Sequence, residues 1–212
     1  HCYNASNINN TTYIDVNILE NIYYEFQYNN IKHISLSGGE PLLHPNIDEI
    51  LNLSKKYSIE TQIVTNGILL SKYYKEIVDN PYITLQISLD GVGEAHNKLR
   101  GNCVFEIVDK NLNELKNIKK YTILKCSLNK YCFEDCESLI RYGIEKNVNK
   151  IAFSLLYYQG RLLDNKGIVL ESREYTEVLN QLNNLRKKYN EHIEIQIPHI
   201  DNKICPFINH EK

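Results

Sequence analysis

Short runs of β-branched and aromatic residues alternate along this chain with longer segments whose apolar positions recur at helical spacing. Thr12–Asn29 carries Ile14, Ile18, Ile22 and Phe26 at every fourth position and predicts a helix. "IKHISLS" (Ile31–Ser37) predicts a strand that stops at Gly38-Gly39. Asn46–Tyr57 returns to helical spacing, with Asn46 as its N-cap. "IETQIVT" (59–65) predicts a strand ended by Asn66-Gly67, Ser71–Asp79 a short helix, and "YITLQISL" (82–89) a strand ended by Asp90-Gly91. The second half keeps the rhythm. Val104–Lys119 predicts a helix, "YTILKCSL" (121–128) a strand, Phe133–Lys146 a helix and "KIAFSLLY" (150–157) a strand. Ser172–Tyr189 is the last helix and "IEIQIP" (193–198) a last short strand.

Strand and helix alternate in units of roughly 30 residues, the length that a right-handed crossover between parallel strands requires. Apolar runs such as "ITLQISL" are expected when both faces of a sheet are covered. The class is therefore α/β. An open doubly wound sheet and a barrel would both produce this pattern, and in either one ligands sit at the C-terminal ends of the strands.

Composition narrows the picture. The 212 residues suit one domain, with room for a short extension, and 42% hydrophobic residues are enough for a core. A formal net charge of -2 with scattered Lys and Arg argues against nucleic acid as a partner. No apolar run is long enough to span a bilayer and no signal peptide precedes the domain, so no membrane partner and a cytoplasmic location are expected. Cysteines stand at 2, 103, 126, 132, 136 and 205 in a long, periodic, Ile- and Leu-rich chain, which favours reduced thiols, some of them metal ligands, over a disulfide scaffold.

The candidate chemistry lies where the predicted strands end. In "SGGEP" (Ser37–Pro41), Gly38 and Gly39 let a ligand approach the backbone, Glu40 offers a carboxylate to an ammonium group, and Pro41 stops the strand. The same residues also read as an ordinary turn with a solvated Glu. "TNG" (65–67) reads as a turn. "SLDG" (Ser88–Gly91), followed by "AHNKLRG" to Gly101, offers the Ser88 hydroxyl and the Arg100 guanidinium to a ligand carboxylate. The alternative is an Asp90-Gly91 turn with Arg100 as a surface charge.

Taken in order and one βα unit apart, "HCYN", "SGGEP", "TNG", "SLDG" and "HNKLRG" resemble the radical S-adenosylmethionine enzymes, in the branch that carries a SPASM extension and modifies peptides or proteins. The resemblance runs from His1 to about Tyr189. It implies a partial (βα)6 TIM-like barrel lacking its first strand here, with 1–190 as the core and 191–212 as the start of a SPASM-like extension. It also implies that "HCYNAS" is the end of the C-x-x-x-C-x-Φ-C motif, with Cys2 as the third ligand of a [4Fe–4S] cluster and His1 near the adenine. Gly38, Gly39 and Glu40 would hold the ammonium end of S-adenosylmethionine, Ser88 and Arg100 its ribose and carboxylate region, and Asn66 would line the same pocket. The cofactor would carry the difficult chemistry, with cleavage of the sulfonium giving a 5′-deoxyadenosyl radical. "YYQGR" (157–161) resembles a Gly-Arg loop of this branch and makes Arg161 a candidate substrate contact.

The resemblance thus implies a peptide or protein substrate and an electron donor such as ferredoxin or flavodoxin. A sulfatase-maturing enzyme, a small-molecule radical enzyme and a degenerate peptide-binding module without a cluster are the alternatives. With one of three cluster ligands, the 212 residues alone are expected to hold neither cluster nor activity. Cys205 lies where a SPASM segment would begin and is a candidate first ligand of an auxiliary Fe–S cluster. Cys126, Cys132 and Cys136 are expected to be buried, idle thiols, and Cys103 structural.

Overall fold

A computed structural model describes residues 12–156 and 166–198. Its strands are β1 (His33–Leu36), β2 (Glu60–Thr65), β3 (Ile83–Ser88), β4 (Thr122–Ser127), β5 (Lys150–Ser154) and β6 (Glu194–Gln196). They form one six-stranded sheet in the order β1-β2-β3-β4-β5-β6. Sheet order that follows chain order is the topology of a barrel-type α/β fold, because a doubly wound sheet reverses its order at a switch point. His1, Cys2, Arg161 and Cys205 lie outside the described residues.

The chain divides into two compact units. One runs to Ser88 and takes in Glu106–Ile123; the other comprises Leu89–Phe105 and the residues from Leu124 onward.

In the first unit, β1 pairs with β2 and β2 with β3, all parallel, with Ser35 opposite Gln62 and Gln62 opposite Thr84. The first helix, α1, covers Val16–Tyr28, and the Asp15 side chain accepts the Asn17 N–H at 2.7 Å as its N-cap. Its buried residues are Leu19 and Tyr23, whereas Ile14 and Ile18 are exposed, which corrects the stripe predicted from every-fourth spacing. Ile14 precedes the Asp15 N-cap and so lies outside the helix, and because four residues overshoot a 3.6-residue turn by about 40°, Ile18 falls off the face that Leu19, Ile22, Tyr23 and Phe26 share. Tyr23 reaches the sheet through a 2.8 Å hydrogen bond with Thr61 Oγ1, and burial raises the phenol to about 12.

Behind α2 (Ile47–Tyr57), the buried Asn80 side chain donates to the Leu51 carbonyl at 2.8 Å and to Ser54 Oγ at 2.9 Å. Lys120 Nζ caps the Asn80 carbonyl at 2.6 Å. A short helix, α3 (Tyr74–Val78), leads to β3, and α5 (Val104–Leu115) completes this unit. Ile63, Leu85 and Ile87 are fully buried, while Gln62, Val64, Gln86 and Ser88 on the opposite face are half-buried. The run "ITLQISL" therefore has one apolar and one largely polar face, a difference from the expectation of two covered apolar faces.

The second unit holds α4 (Glu94–Arg100), a helix the apolar pattern does not announce, with β4, α6 (Cys136–Glu145), β5, α7 (Ser172–Tyr189) and β6. Gly143 brings α6 close to β5, since a Cβ there would lie 2.7 Å from Ile151 Cδ1. A reciprocal pair of bonds between Glu171 and Glu174 starts α7, which buries Tyr175, Val178, Leu182 and Leu185. β6 pairs with β5 through Ile151 and Ile195.

Candidate functional site

The C-terminal ends of β1 and β2 are joined by one carboxylate. Glu40 leads into a short 3-10 turn, Pro41–Leu43, and accepts the Leu42 N–H on Oε1 at 3.2 Å. The same oxygen accepts the Thr65 hydroxyl at 2.7 Å, and Oε2 accepts the Asn66 N–H at 2.7 Å. Three donors converge on one anion, and hydrogen bonds to a charged acceptor are about twice as strong as neutral ones. The Asn66 side chain turns back on its own loop, accepting the Ile68 N–H at 2.9 Å, while Gly67 N–H donates to Thr65 Oγ1 at 3.0 Å. Gly67 has φ +83°, and the Asn111 amide donates to its carbonyl at 2.7 Å. The "TNG" turn is thereby held rigid from both sides.

Gly38 and Gly39 precede this anchor and are exposed. A Cβ built at Gly38 would meet nothing within 4 Å, so the peptide there lies open to a ligand that needs backbone contact. Ser88, half-buried, ends β3 one residue past the Thr65–Ile87 pair. Gly38, Gly39, Glu40 and Asn66 are thus brought together at one end of this unit, with Ser88 closing the neighbouring strand.

In the second unit, Arg100 is an ion-paired side chain and not a surface charge. Its Nε and Nη2 donate to Asp90 Oδ2 at 2.7 and 2.6 Å. Asp90 is fully buried, accepts the Ser127 N–H on Oδ1 at 2.8 Å, and donates its own N–H to His96 Nδ1 at 3.0 Å. Gly91 has φ +131°, and a Cβ there would fall 2.8 Å from that of Ala95, so this position requires glycine. The loop and α4 therefore aim the Arg100 guanidinium through a buried anion. Sequence reasoning treated Asp90 as a turn residue; the available signal was an Asp at a strand end ten residues before an Arg, in a segment that had to be buried. Thr65 was missed because a strand-end Thr carries no mark of its partner.

Cys126, Cys132 and Cys136 are buried, with Cys126 Sγ 3.8 Å from Cys132 Sγ. The neighbouring Cys132 thiol and complete burial hold Cys126 well above the usual thiol range, and burial pushes Cys136 up likewise. Protonated thiols in an apolar setting are inert. Among the described residues no group of three His, Cys, Asp or Glu could hold a metal ion. No helix among them is long and apolar enough to cross a membrane.

A groove of about 620 Å³ lies at the other end of the first unit's strands, reached by Lys32, Glu60, Tyr82 and Thr84. It is remote from the anchored turns.

Residues 1–142 match the Radical SAM superfamily. The chain is 27% identical over 176 residues to Fe-coproporphyrin III synthase of Methanosarcina barkeri, covering 80% of this chain and 43% of that one. It is 33% identical over 111 residues to a probable GTP 3',8-cyclase of Methanococcus aeolicus, covering 50% of this chain and 36% of that one. The fold is similar to that of Streptococcus suis SuiB bound to the precursor peptide SuiA, with a TM-score of 0.77 and 17% identity over 96% of this chain and 48% of SuiB. The chain spans less than half the length of each of these proteins.

Proposed function

Because the chain belongs to the radical SAM superfamily of enzymes, we propose that it is the core of an enzyme that uses S-adenosylmethionine and a [4Fe–4S] cluster to modify a peptide or protein side chain. The residues present fit the amino-acid end of S-adenosylmethionine. The open Gly38-Gly39 backbone admits it, and Glu40, locked by Thr65 and Asn66, keeps that backbone in place. Ser88 and Arg100 are proposed to hold the ribose and carboxylate, with Asp90 as the positioning residue that fixes the guanidinium. Cys2 is the proposed cluster ligand and His1 the proposed adenine neighbour. Cys205 is proposed for an auxiliary cluster. When bound, the cluster and S-adenosylmethionine supply one-electron chemistry that begins by removing a hydrogen atom from the substrate.

What the described residues contribute is orientation. A ligand carboxylate meets a guanidinium that cannot swing away, and a ligand ammonium meets a turn whose shape three hydrogen bonds maintain. Prepaid orientation of this kind lowers the entropy cost of reaching a reactive geometry. An electron donor of the ferredoxin or flavodoxin type is the proposed partner.

The observation that carries the peptide reading is the likeness to SuiB over 96% of the chain, in a complex with a precursor peptide. A small-molecule substrate is the second reading, favoured by the synthase and cyclase relatives. The test is anaerobic incubation of the full-length protein with S-adenosylmethionine, a reductant and candidate precursor peptides encoded nearby. Formation of 5′-deoxyadenosine with a mass change in the peptide is expected. No 5′-deoxyadenosine removes the radical reading; 5′-deoxyadenosine formed only with a small molecule moves the assignment to the second one. Glu40→Gln turns one acceptor oxygen into a donor and is expected to weaken S-adenosylmethionine binding about tenfold or more.

A further inference from the structure

Lys125 is a cation without a counter-charge. It stands in β4, an internal strand of the sheet, where lysine is a poor strand former and is seldom buried. The residue is half-buried, and its side chain makes no ion pair or hydrogen bond among the described residues. Lysines on edge strands discourage strand-to-strand association, but β4 is no edge, so that explanation does not apply. Burial first, and then the Lys150 charge, lower the Lys125 ammonium from the usual lysine value, the opposite of what an adjacent carboxylate would do.

Strand register in the second unit shows what surrounds it. The Leu128 N–H donates to the Ser154 carbonyl at 2.9 Å, which in a parallel ladder sets Ser127 beside Ser154 and Lys125 beside Ala152. β5 and β6 pair Ala152 with Gln196 and Lys150 with Glu194. Lys125, Ser127, Ser154 and Gln196 therefore share one face, all of them half-buried or exposed and so within a ligand's reach. Cys126, Ile151, Phe153 and Ile195, all buried, share the other face, against which α6 packs at Gly143. Lys150 is already paired with Glu194 Oε1 at 2.9 Å, so Lys125 is the uncommitted charge on the polar face among the described residues.

This lysine adjoins the proposed cofactor arm. Its carbonyl accepts the Leu89 N–H at 2.9 Å, and two residues further on the Ser127 N–H donates to Asp90, the carboxylate that fixes Arg100. Lys125 thus stands about 7 Å before the strand end that Asp90 grips. A substrate held against that end of the sheet lies within reach of a long lysine side chain. One ammonium, with the Ser127 hydroxyl on the same face, suits a single carboxylate. A phosphate dianion would meet the Glu194 charge with one cation to offset its lost hydration.

We propose that Lys125 is a specificity-determining residue that pairs with a carboxylate of the peptide substrate, with the Ser127 hydroxyl as the second donor. The proposal rests on the peptide reading above and adds the charge that such a peptide carries.

The test uses the full-length protein as wild type, Lys125→Met and Lys125→Arg. Its probes are acetyl-Gly-Glu-Gly-Tyr-amide, acetyl-Gly-Gln-Gly-Tyr-amide and acetyl-Gly-Gln-Gly-Tyr with a free C-terminus, read by saturation-transfer NMR. Wild type is expected to bind one of the two carboxylate peptides about tenfold more tightly than the uncharged one. Which of the two is preferred tells a side-chain carboxylate from a chain end. Lys125→Met is expected to lose the preference and Lys125→Arg to keep it, with S-adenosylmethionine binding unchanged in both. Lys125→Met keeps the apolar stem and is expected to melt no lower than wild type. A wild type that treats acid and amide alike, or binds none of the three peptides, overturns the proposal, as does a Lys125→Met that keeps the preference. A parallel fall in S-adenosylmethionine affinity assigns Lys125 to the cofactor and overturns it too. So does a lower melting point with equal loss of all three peptides, the mark of a structural lysine. A protein that forms 5′-deoxyadenosine on a peptide but is indifferent to Lys125 keeps the peptide reading and loses this site; one that forms none but prefers the acid through Lys125 keeps the site and loses the radical reading.

Discussion

Replacing Asp90 with alanine removes a carboxylate that is completely buried. The Arg100 guanidinium then loses two hydrogen bonds, of 2.7 and 2.6 Å, and the Ser127 N–H loses its 2.8 Å acceptor. Breaking a buried ion pair by deleting one partner costs about 3–5 kcal/mol, because the surviving charge stays desolvated. The Arg100 side chain is 27% exposed, so it recovers part of its hydration, and the lower end, about 3 kcal/mol, applies to Asp90→Ala. Arg100→Ala strands a fully buried anion, at about 3–4 kcal/mol. The double variant leaves neither charge behind and is expected to cost about 4 kcal/mol, well short of the sum, for a coupling of about 2–3 kcal/mol. Asp90→Asn keeps an acceptor for Ser127 and is expected to fall near 2 kcal/mol. Urea denaturation of the four proteins at neutral pH measures all of this, through midpoints at constant slope. Costs that add to within about 0.5 kcal/mol would refute the buried-pair reasoning, as would an Asp90→Ala cost below about 1 kcal/mol.

Thiol labelling separates the cysteines. With the native protein at pH 8, iodoacetamide is expected to modify the exposed Cys103 and spare Cys126, Cys132 and Cys136 until denaturant is added, as peptide mass mapping would read. Acid stability tests the link between α6 and α7. Hydrogen bonds from Lys188, Tyr189 and Arg141 lower Glu137 from 4.5 to about 2. The stabilisation is therefore complete above the unfolded value and is lost as pH falls from about 4.5 through about 2. Glu137→Gln should flatten the dependence of the urea midpoint on pH in that window, and an unaltered slope would count against the assignment.

How far the sequence reached depends on the range of the interaction involved. Helix and strand alternation was legible because amphipathic period is written along the chain, and the six strands lie where their β-branched runs stand. "SGGEP", "TNG" and "SLDG" were legible as strand ends because Gly, Asn and Pro interrupt a ladder locally. The buried stripe of α1 was misread at Ile14, which precedes the N-cap, and at Ile18, since a four-residue repeat drifts about 40° per turn away from a helical face. Helix α4 escaped notice because its seven residues, "EAHNKLR", bury His96 and Asn97 and so carry no apolar period.

By itself, the amino-acid sequence determined the α/β class, the order of the elements and the positions where strands give way to turns, all of which follow from neighbours along the backbone. Only the tertiary structure decided that Glu40 holds Asn66, that Asp90 aims Arg100, and that Thr84 lies buried beside a groove. Those are pairings between residues 26, 10 or more positions apart, or consequences of which face of a strand is covered. A charged or polar side chain reads the same in a sequence whether water or another side chain surrounds it, and burial alone makes the difference.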